Sequence, residues 1–214
     1  VTKRYPNILQ DMFLVPEEFA LPSVSLKQYV KLNAPFYPNF SDELLRSCLR
    51  DFDMNEDIHL GELSMGQKKK VYMSFALAAG TRLLLMDEPT NGLDIPSKSQ
   101  FRRVVASGMA EDKAVIISTH QVRDIDSLLD HVVIIDGSRT LLNRSVADIC
   151  SHLCFTELSS GELTGDELFT QPSVHGQSVI LPNRLGEEDS TLNLELLFNA
   201  TLAHPEKIAQ VFAE

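Results

Sequence analysis

Positive charge is scarce in this sequence, cysteine scarcer still, and long apolar runs are missing. Against 30 Asp and Glu side chains stand 19 Lys and Arg, a formal net charge of -11. That balance argues against a main role in gripping nucleic acid or an anionic lipid surface. The three cysteines, Cys48, Cys150 and Cys154, are an odd and sparse set that argues against a disulfide framework and fits a reducing compartment. Cys150 and Cys154 have no His or Cys cluster around them to complete a metal site, and read as inert buried thiols. No apolar run approaches the ~20 residues that span a bilayer, and no signal peptide opens the chain. There is no internal repeat and no low-complexity segment. The first residue is Val1 rather than Met, which reads as a fragment or a processed product.

What is present is ordinary for a globular chain: 214 residues, 43% hydrophobic, enough for one sizeable core and a small appendage. "MFLV" (residues 12–15) is a short apolar run ended by Pro16, a buried strand. "SLKQYVKLNAPFY" and "SDELLRSCLRDF" have helical spacing, with Ser41 the N-cap of the second, and a third helix starts at Ser64. "LLLM" (83–86) and "AVIIST" (114–119) are two more strands, with the helix "SKSQFRRVVASGMA" between them. Apolar runs alternating with helices predict a parallel sheet covered on both faces. "HVVIIDGSRTLL" predicts a hairpin turning at Asp136-Gly137, followed by a short helix. From Ser151 the pattern changes to short strands and a helical tail restarted by Pro205. The expected division is residues 1–150 and an accessory domain of residues 151–214.

Two stretches carry chemistry. In "LLLMDEPTNGLD" the strand runs into adjacent acids, Asp87 and Glu88. A carboxylate at the C-terminal end of a parallel strand sits where α/β sheets place their ligands. Asp87 there can hold Mg²⁺ through water. Glu88, one residue beyond, can polarise a water for attack on a phosphate. Alone, such a pair is more often a solvated loop. Here the third strand ends in "STHQ", which brings His120 to the same sheet edge, able to donate to a γ-phosphate. In "LSMGQKKK", Ser64 and Gln67 make a capping-box pattern at a helix start, and Gly66 lets a phosphate approach free N–H groups. Gly61 to Lys68 also spells G-x-x-x-x-G-Q-K, one step from a phosphate-binding loop. It fails because Gln67 stands for the lysine and Lys68 for the Ser or Thr, and no strand leads into it.

In this order the pieces resemble the nucleotide-binding subunit of ABC transporters, over about residues 12–149. "LSMGQ" (Leu63, Ser64, Met65, Gly66, Gln67) is similar to the family's signature loop, LSGGQ, with Met65 for the first glycine. "LLLMDEP" resembles the Walker B strand with its catalytic glutamate, "NGLD" the D-loop ending in Asp94, and "STH" the switch histidine. Aligned on "FLVPEEF", the Q-loop position falls on Glu17, an acid where the family has glutamine. It keeps an oxygen for Mg²⁺ or water and loses the amide's donor.

The resemblance implies an α/β fold: an incomplete P-loop NTPase core with a mostly parallel sheet, a helical subdomain over about residues 18–80, and a small α+β accessory domain. It implies MgATP hydrolysis, with Glu88 and His120 catalytic, Asp87 on the metal, and Glu17, residues 63–67 and Asp94 around the nucleotide. The implied partners are a transmembrane permease subunit on a separate chain and a second nucleotide-binding subunit, in a homo- or heterodimer. Nucleic acid is not expected. The implied location is cytoplasmic, at the inner face of the cell membrane. The family's Walker A loop should precede Glu17, yet no glycine stands there. The chain is therefore expected to be a C-terminal fragment, inactive by itself. Two other readings stand beside this one: a soluble ABC ATPase that does not transport, and a regulatory or dimerising module that has lost catalysis.

Overall fold

The three apolar runs form parallel strands, because each is short, ends at a turn and returns through a helical crossover. They are β1 (Met12–Val15), β2 (Leu83–Asp87) and β3 (Ala114–Ser118), ordered β1-β2-β3. The structure is a computed structural model and describes residues 5–110, 112–159, 161–174, 176–183 and 190–213. By its internal contacts the chain divides into two units, Val1–Asp124 and Ile125–Glu214.

The first unit opens with a single turn, α1 (Pro6–Leu9), before β1. Helices α2 (Leu26–Asn33) and α3 (Asp42–Asp51) follow, then α4 (Met65–Ala78) leads to β2, and α5 (Ile95–Ser107) joins β2 to β3. Ser25, Ser41, Ser64 and Asp94 each cap a helix by accepting from a backbone N–H three residues on, which satisfies a donor the helix itself cannot. The strands are in register, Phe13 beside Leu84 beside Val115 and Val15 beside Met86 beside Ile117. Phe13, Val15, Leu84 and Met86 are buried. The opposite face is different: Leu14 is 54% and Ile116 57% exposed. The sheet is thus covered on one face and largely open on the other along β1 and β3. The expectation of two covered faces came from apolar runs that do not alternate, and such runs do not reveal what packs on them.

Helix α4 is apolar on nearly every side from Val71 to Ala79 and is buried accordingly. Phe75 sits at the centre of an aromatic cluster, with the rings of Phe40, Tyr29, Phe13 and Tyr37 at 5.1, 5.2, 5.9 and 6.1 Å. Phe75→Ala should cost about 3–5 kcal/mol, since the rigid neighbours cannot collapse into the space; the shift of the urea midpoint at unchanged slope measures it. The helix stops at Gly80, whose φ of +63° is left-handed and where a Cβ would run into the Asn39 carbonyl. Leu60–Glu62 is a 3-10 turn and not a strand, so the G-x-x-x-x-G-Q-K stretch lacks the strand-loop-helix setting of a phosphate loop.

The second unit begins with the hairpin β4 (His131–Asp136) and β5 (Arg139–Ser145). Its turn residues are Gly137 and Ser138, at φ +50° and +68°, one position later than the sequence suggests. Helix α6 (Val146–His152) leads to an antiparallel sheet of β6 (Leu153–Leu158), β7 (Phe169–Ser173) and β8 (Gly176–Pro182) in the order β6-β8-β7. Helices α7 (Leu194–Ala203) and α8 (Pro205–Val211) complete it, with Pro205 at the first turn as expected. Helix α7 packs on both the hairpin and the β7–β8 pair. The hairpin falls within the second of the two units, which runs from Ile125. The packing of α7 on the hairpin joins residues some fifty positions apart, which no local pattern carries.

Candidate active site

Asp87 closes β2 on the open side of the sheet, in register with Ser118 of β3, whose hydroxyl donates to Asp87 Oδ1 at 2.7 Å. Glu88 then leaves the strand at φ +43°, a left-handed conformation rare for a residue with a side chain. Holding it there costs of order 1–3 kcal/mol and requires support from the surroundings. The support is visible. Glu88 N–H donates to the Ser118 carbonyl at 2.8 Å. Thr119 Oγ1 donates to Glu88 Oε2 at 2.8 Å, and His120 N–H donates to Oε1 at 2.9 Å. His120 Nδ1 lies 2.6 Å from the same Oε1.

These contacts set the charge of Glu88. Burial pushes its carboxyl up, but the hydrogen bonds from Thr119 and His120 together outweigh burial and hold it below the ordinary carboxylate range. An ionised carboxylate only accepts, so the contact is a hydrogen bond in the tautomer with the proton on His120 Nδ1. Glu88 and His120, expected to act on a water and a γ-phosphate, are here bound to each other.

The signature residues form a second group. Leu63 is half-buried between the 3-10 turn and α4. The Ser64 hydroxyl accepts from Gln67 N–H at 3.3 Å, and Gln67 Oε1 accepts from Ser64 N–H at 3.0 Å, the reciprocal capping box. This leaves the Ser64 hydroxyl proton available as a donor. Met65 is exposed at the first helical position. A Cβ on Gly66 would lie 3.6 Å from the Gly92 carbonyl oxygen, so signature loop and D-loop are neighbours within one chain. Asp94 is the N-cap of α5, where Oδ1 accepts from Ser97 N–H at 3.0 Å; the Ser97 hydroxyl first, and that N–H second, keep its carboxyl low.

Glu17 is exposed and its Oε1 accepts from Asn91 Nδ2 at 2.7 Å. Glu17, Glu18, Met65, Lys69, Asn91 and Gly92 border an open cleft of about 680 Å³. The structure thus gathers Asp87, Glu88 and His120 at the strand ends, gathers Leu63 to Gln67 at the start of α4, and ties Glu17 to the loop after Glu88. Among the described residues no three His, Cys, Asp or Glu side chains converge as a metal cage. Asp87 with the Ser118 hydroxyl offers a carboxylate and a hard oxygen beside it, which fits Mg²⁺, an ion that keeps waters and takes its other ligands from phosphates.

Sequence reasoning missed Ser118, Thr119, Asn91 and Lys69. The first two share the strand end with His120 and were within reach of the register argument. Lys69 is the middle of "KKK", where a charge run reads as a solvated face. Its spacing from Met73 and Leu77, four and eight residues on, was the available signal that it lies on the buried side.

Residues 9–123 match the family model described as "AAA domain, putative AbiEii toxin, Type IV TA system". The chain is 26% identical over 132 residues to the ABC transporter ATP-binding protein YtrB of Bacillus subtilis, covering 61% of this chain and 45% of that protein. It is 31% identical over 108 residues to the uncharacterized ABC transporter ATP-binding protein MJ1023 of Methanocaldococcus jannaschii, covering 50% of this chain and 41% of that one. The chain therefore spans less than half the length of these curated relatives. A solved ATP-binding subunit of an ABC transporter superposes with a TM-score of 0.60 at 23% identity, over 67% of this chain and 62% of that one. CbiO1 of Clostridium perfringens, part of the ABC transporter complex cbiONQ, gives 0.51 at 22% identity, over 64% and 58%. These structures share the fold.

Proposed function

This chain belongs to the AAA domain family, its relatives and structural neighbours are ATP-binding subunits of ABC transporters, and from that premise we propose that the complete protein binds and hydrolyses ATP to drive a separate membrane subunit. The observation that carries the reading is Glu88, held ionised at the end of β2 by Thr119 and His120, beside the strand-end acid Asp87. A carboxylate in that place accepts the proton of a water attacking the γ-phosphate, and positioning does most of the remaining work. Asp87, with Ser118 beside it, would hold Mg²⁺, which neutralises phosphate charge. His120 Nδ1 is engaged by Glu88. The ring reaches a phosphate as a donor either after releasing that carboxylate or as the imidazolium, with a proton on both nitrogens.

Ser64 and Gly66 supply the other half of the site. The start of α4 carries free N–H groups, the positive end of the helix dipole and the spare Ser64 proton, a setting for phosphate. In this reading two subunits meet head to tail, and the signature loop of one closes on ATP held by the other. Activity is assigned to the complete protein, since none of the described residues forms a glycine-rich cradle with its lysine. In this reading Glu17, bonded to Asn91 three residues after Glu88, is the Q-loop position, and the membrane partner docks near Glu17–Tyr29 and the helical region. A groove of about 420 Å³ bordered by Leu26, Val30, Leu45 and Arg46 is available there. Among the described residues no helix is long and apolar enough to cross a membrane.

The test is affinity isolation of the complete protein from detergent-solubilised membranes, with phosphate release measured on the isolate. Co-isolation of a polytopic membrane chain together with ATP hydrolysis is the expected result. Hydrolysis by a protein that brings no membrane chain points instead to a soluble ABC ATPase, and binding without hydrolysis points to a regulatory module.

A further inference from the structure

Lys69 is 4% exposed, the one charged side chain among the buried residues of α4. Burial pulls it below its ordinary range, while Glu17, Glu88 and Asp87 oppose that fall. Such a group is expensive to bury and is tolerated when its donors are used. Lys69 Nζ donates to the Glu88 carbonyl at 3.0 Å and to the Asn91 carbonyl at 2.8 Å. These two carbonyls bracket one tight turn, in which Asn91 N–H returns to the Glu88 carbonyl at 3.2 Å. Pro89 and Thr90 inside it are buried. The turn starts at the residue whose backbone is left-handed, and its last side chain, Asn91, is the one holding Glu17.

We propose that Lys69 is a positioning residue for hydrolysis: its ammonium clamps the Glu88–Asn91 turn to the signature helix and so fixes the direction of the Glu88 carboxylate. This rests on the reading of Glu88 as the group that activates water. The clamp lies one helical turn beyond Met65, about 6 Å along the axis, so a displacement of the signature loop carries the anchor of Glu88 with it. Two backbone carbonyls converging on one point match an ammonium, a compact charge with three rotatable donors. A neutral apolar side chain would fill the space and leave both carbonyls without this partner.

The experiment compares Lys69→Met, Lys69→Arg and the parent in the complete protein, by amide hydrogen exchange and by steady-state ATP hydrolysis. Asn91 N–H and Leu93 N–H are bonded within the loop, to Glu88 and Thr90, and report on its closure. In Lys69→Met their exchange should rise by at least about tenfold, with the amides of Val71 to Ala78 unchanged. In the same variant kcat should fall by about 10²-fold with KM for ATP retained, the signature of a lost orientation and not of lost binding. Lys69→Arg, which keeps donors, should recover part of both. Exchange that rises equally through α4, or a loosened turn with unchanged kcat, overturns the proposal. A parent without hydrolysis defeats the functional reading separately, and the exchange comparison still decides whether the clamp exists.

Discussion

Replacing Glu88 by glutamine in the complete protein should lower ATP turnover by about 10²-fold or more while ATP binding persists. Glutamine keeps the size and one oxygen, which can still accept from the His120 N–H. It loses the ionised oxygen that, under the proposed function, takes a proton from water. The Thr119 hydroxyl can rotate to accept from the new amide where it now donates to Oε2, so the strand end should remain folded. His120→Ala should also cut turnover, because the same ring lowers the Glu88 carboxyl and is, under the proposed function, the donor to the γ-phosphate. Steady-state phosphate release and nucleotide titration on the two variants measure this; Glu88→Gln turning over at the parental rate would remove Glu88 from its role. A pH arm follows from the sign of the shift. A carboxyl held below its unfolded value contributes stability above the ordinary carboxylate range and loses it as pH falls through the folded value. The stability gap between parent and Glu88→Gln should therefore narrow on acidification, as read from urea midpoints at neutral and acid pH.

The elements of this protein were legible where the signal was local. Ser41 and Ser64 announced helices because capping depends on a hydroxyl and a backbone N–H three residues away. The three parallel strands announced themselves by apolar runs cut short at Pro16, at Asp87 and at His120. The site was legible in part for the same reason: Asp87, Glu88 and His120 all sit at strand ends, and one register brings strand ends together.

What stayed hidden was non-local. Nothing in "PEEF" says that Glu17 will meet Asn91, 74 residues away. Nothing in "KKK" separates the buried Lys69 from Lys68 and Lys70 unless the helix face is already known. Lys70 itself bonds to the Phe52 carbonyl and to Gln100, two further non-local partners. The open sheet face is of the same kind, since burial belongs to pairs of segments and an apolar run describes one. The pairing of His120 with Glu88 was missed for another reason. The resemblance assigns each a role toward ATP, whereas the resting side chains satisfy each other.

Gly66→Asp should abolish ATP-driven dimer closure without unfolding the subunit. Gly66 lies in the first turn of α4 at ordinary helical φ, so any residue can adopt its backbone conformation. A Cβ there would meet only the Gly92 carbonyl oxygen, at 3.6 Å, an ordinary contact. Aspartate in the first turn of a helix even favours the monomer, by about 0.3–1 kcal/mol from the dipole. The penalty falls entirely on the closed state. Under the proposed function the N–H groups of Met65 and Gly66 and the spare Ser64 proton meet a phosphate only if nothing of like charge occupies the approach. A carboxylate within a few ångströms of a triphosphate in a site emptied of water is repelled far more strongly than the same pair in solution. The measurement is light scattering of the complete protein with ATP and EDTA-free magnesium, in the Glu88→Gln background so that closure is not reversed by hydrolysis. The parent background should shift to dimer mass; Gly66→Asp should stay monomeric with an unchanged unfolding midpoint. Gly66→Ala, which adds the methyl without the charge, should dimerise. An intact ATP-dependent dimer in Gly66→Asp would take Gly66 out of the nucleotide site and leave the capping box as the whole meaning of "LSMGQ".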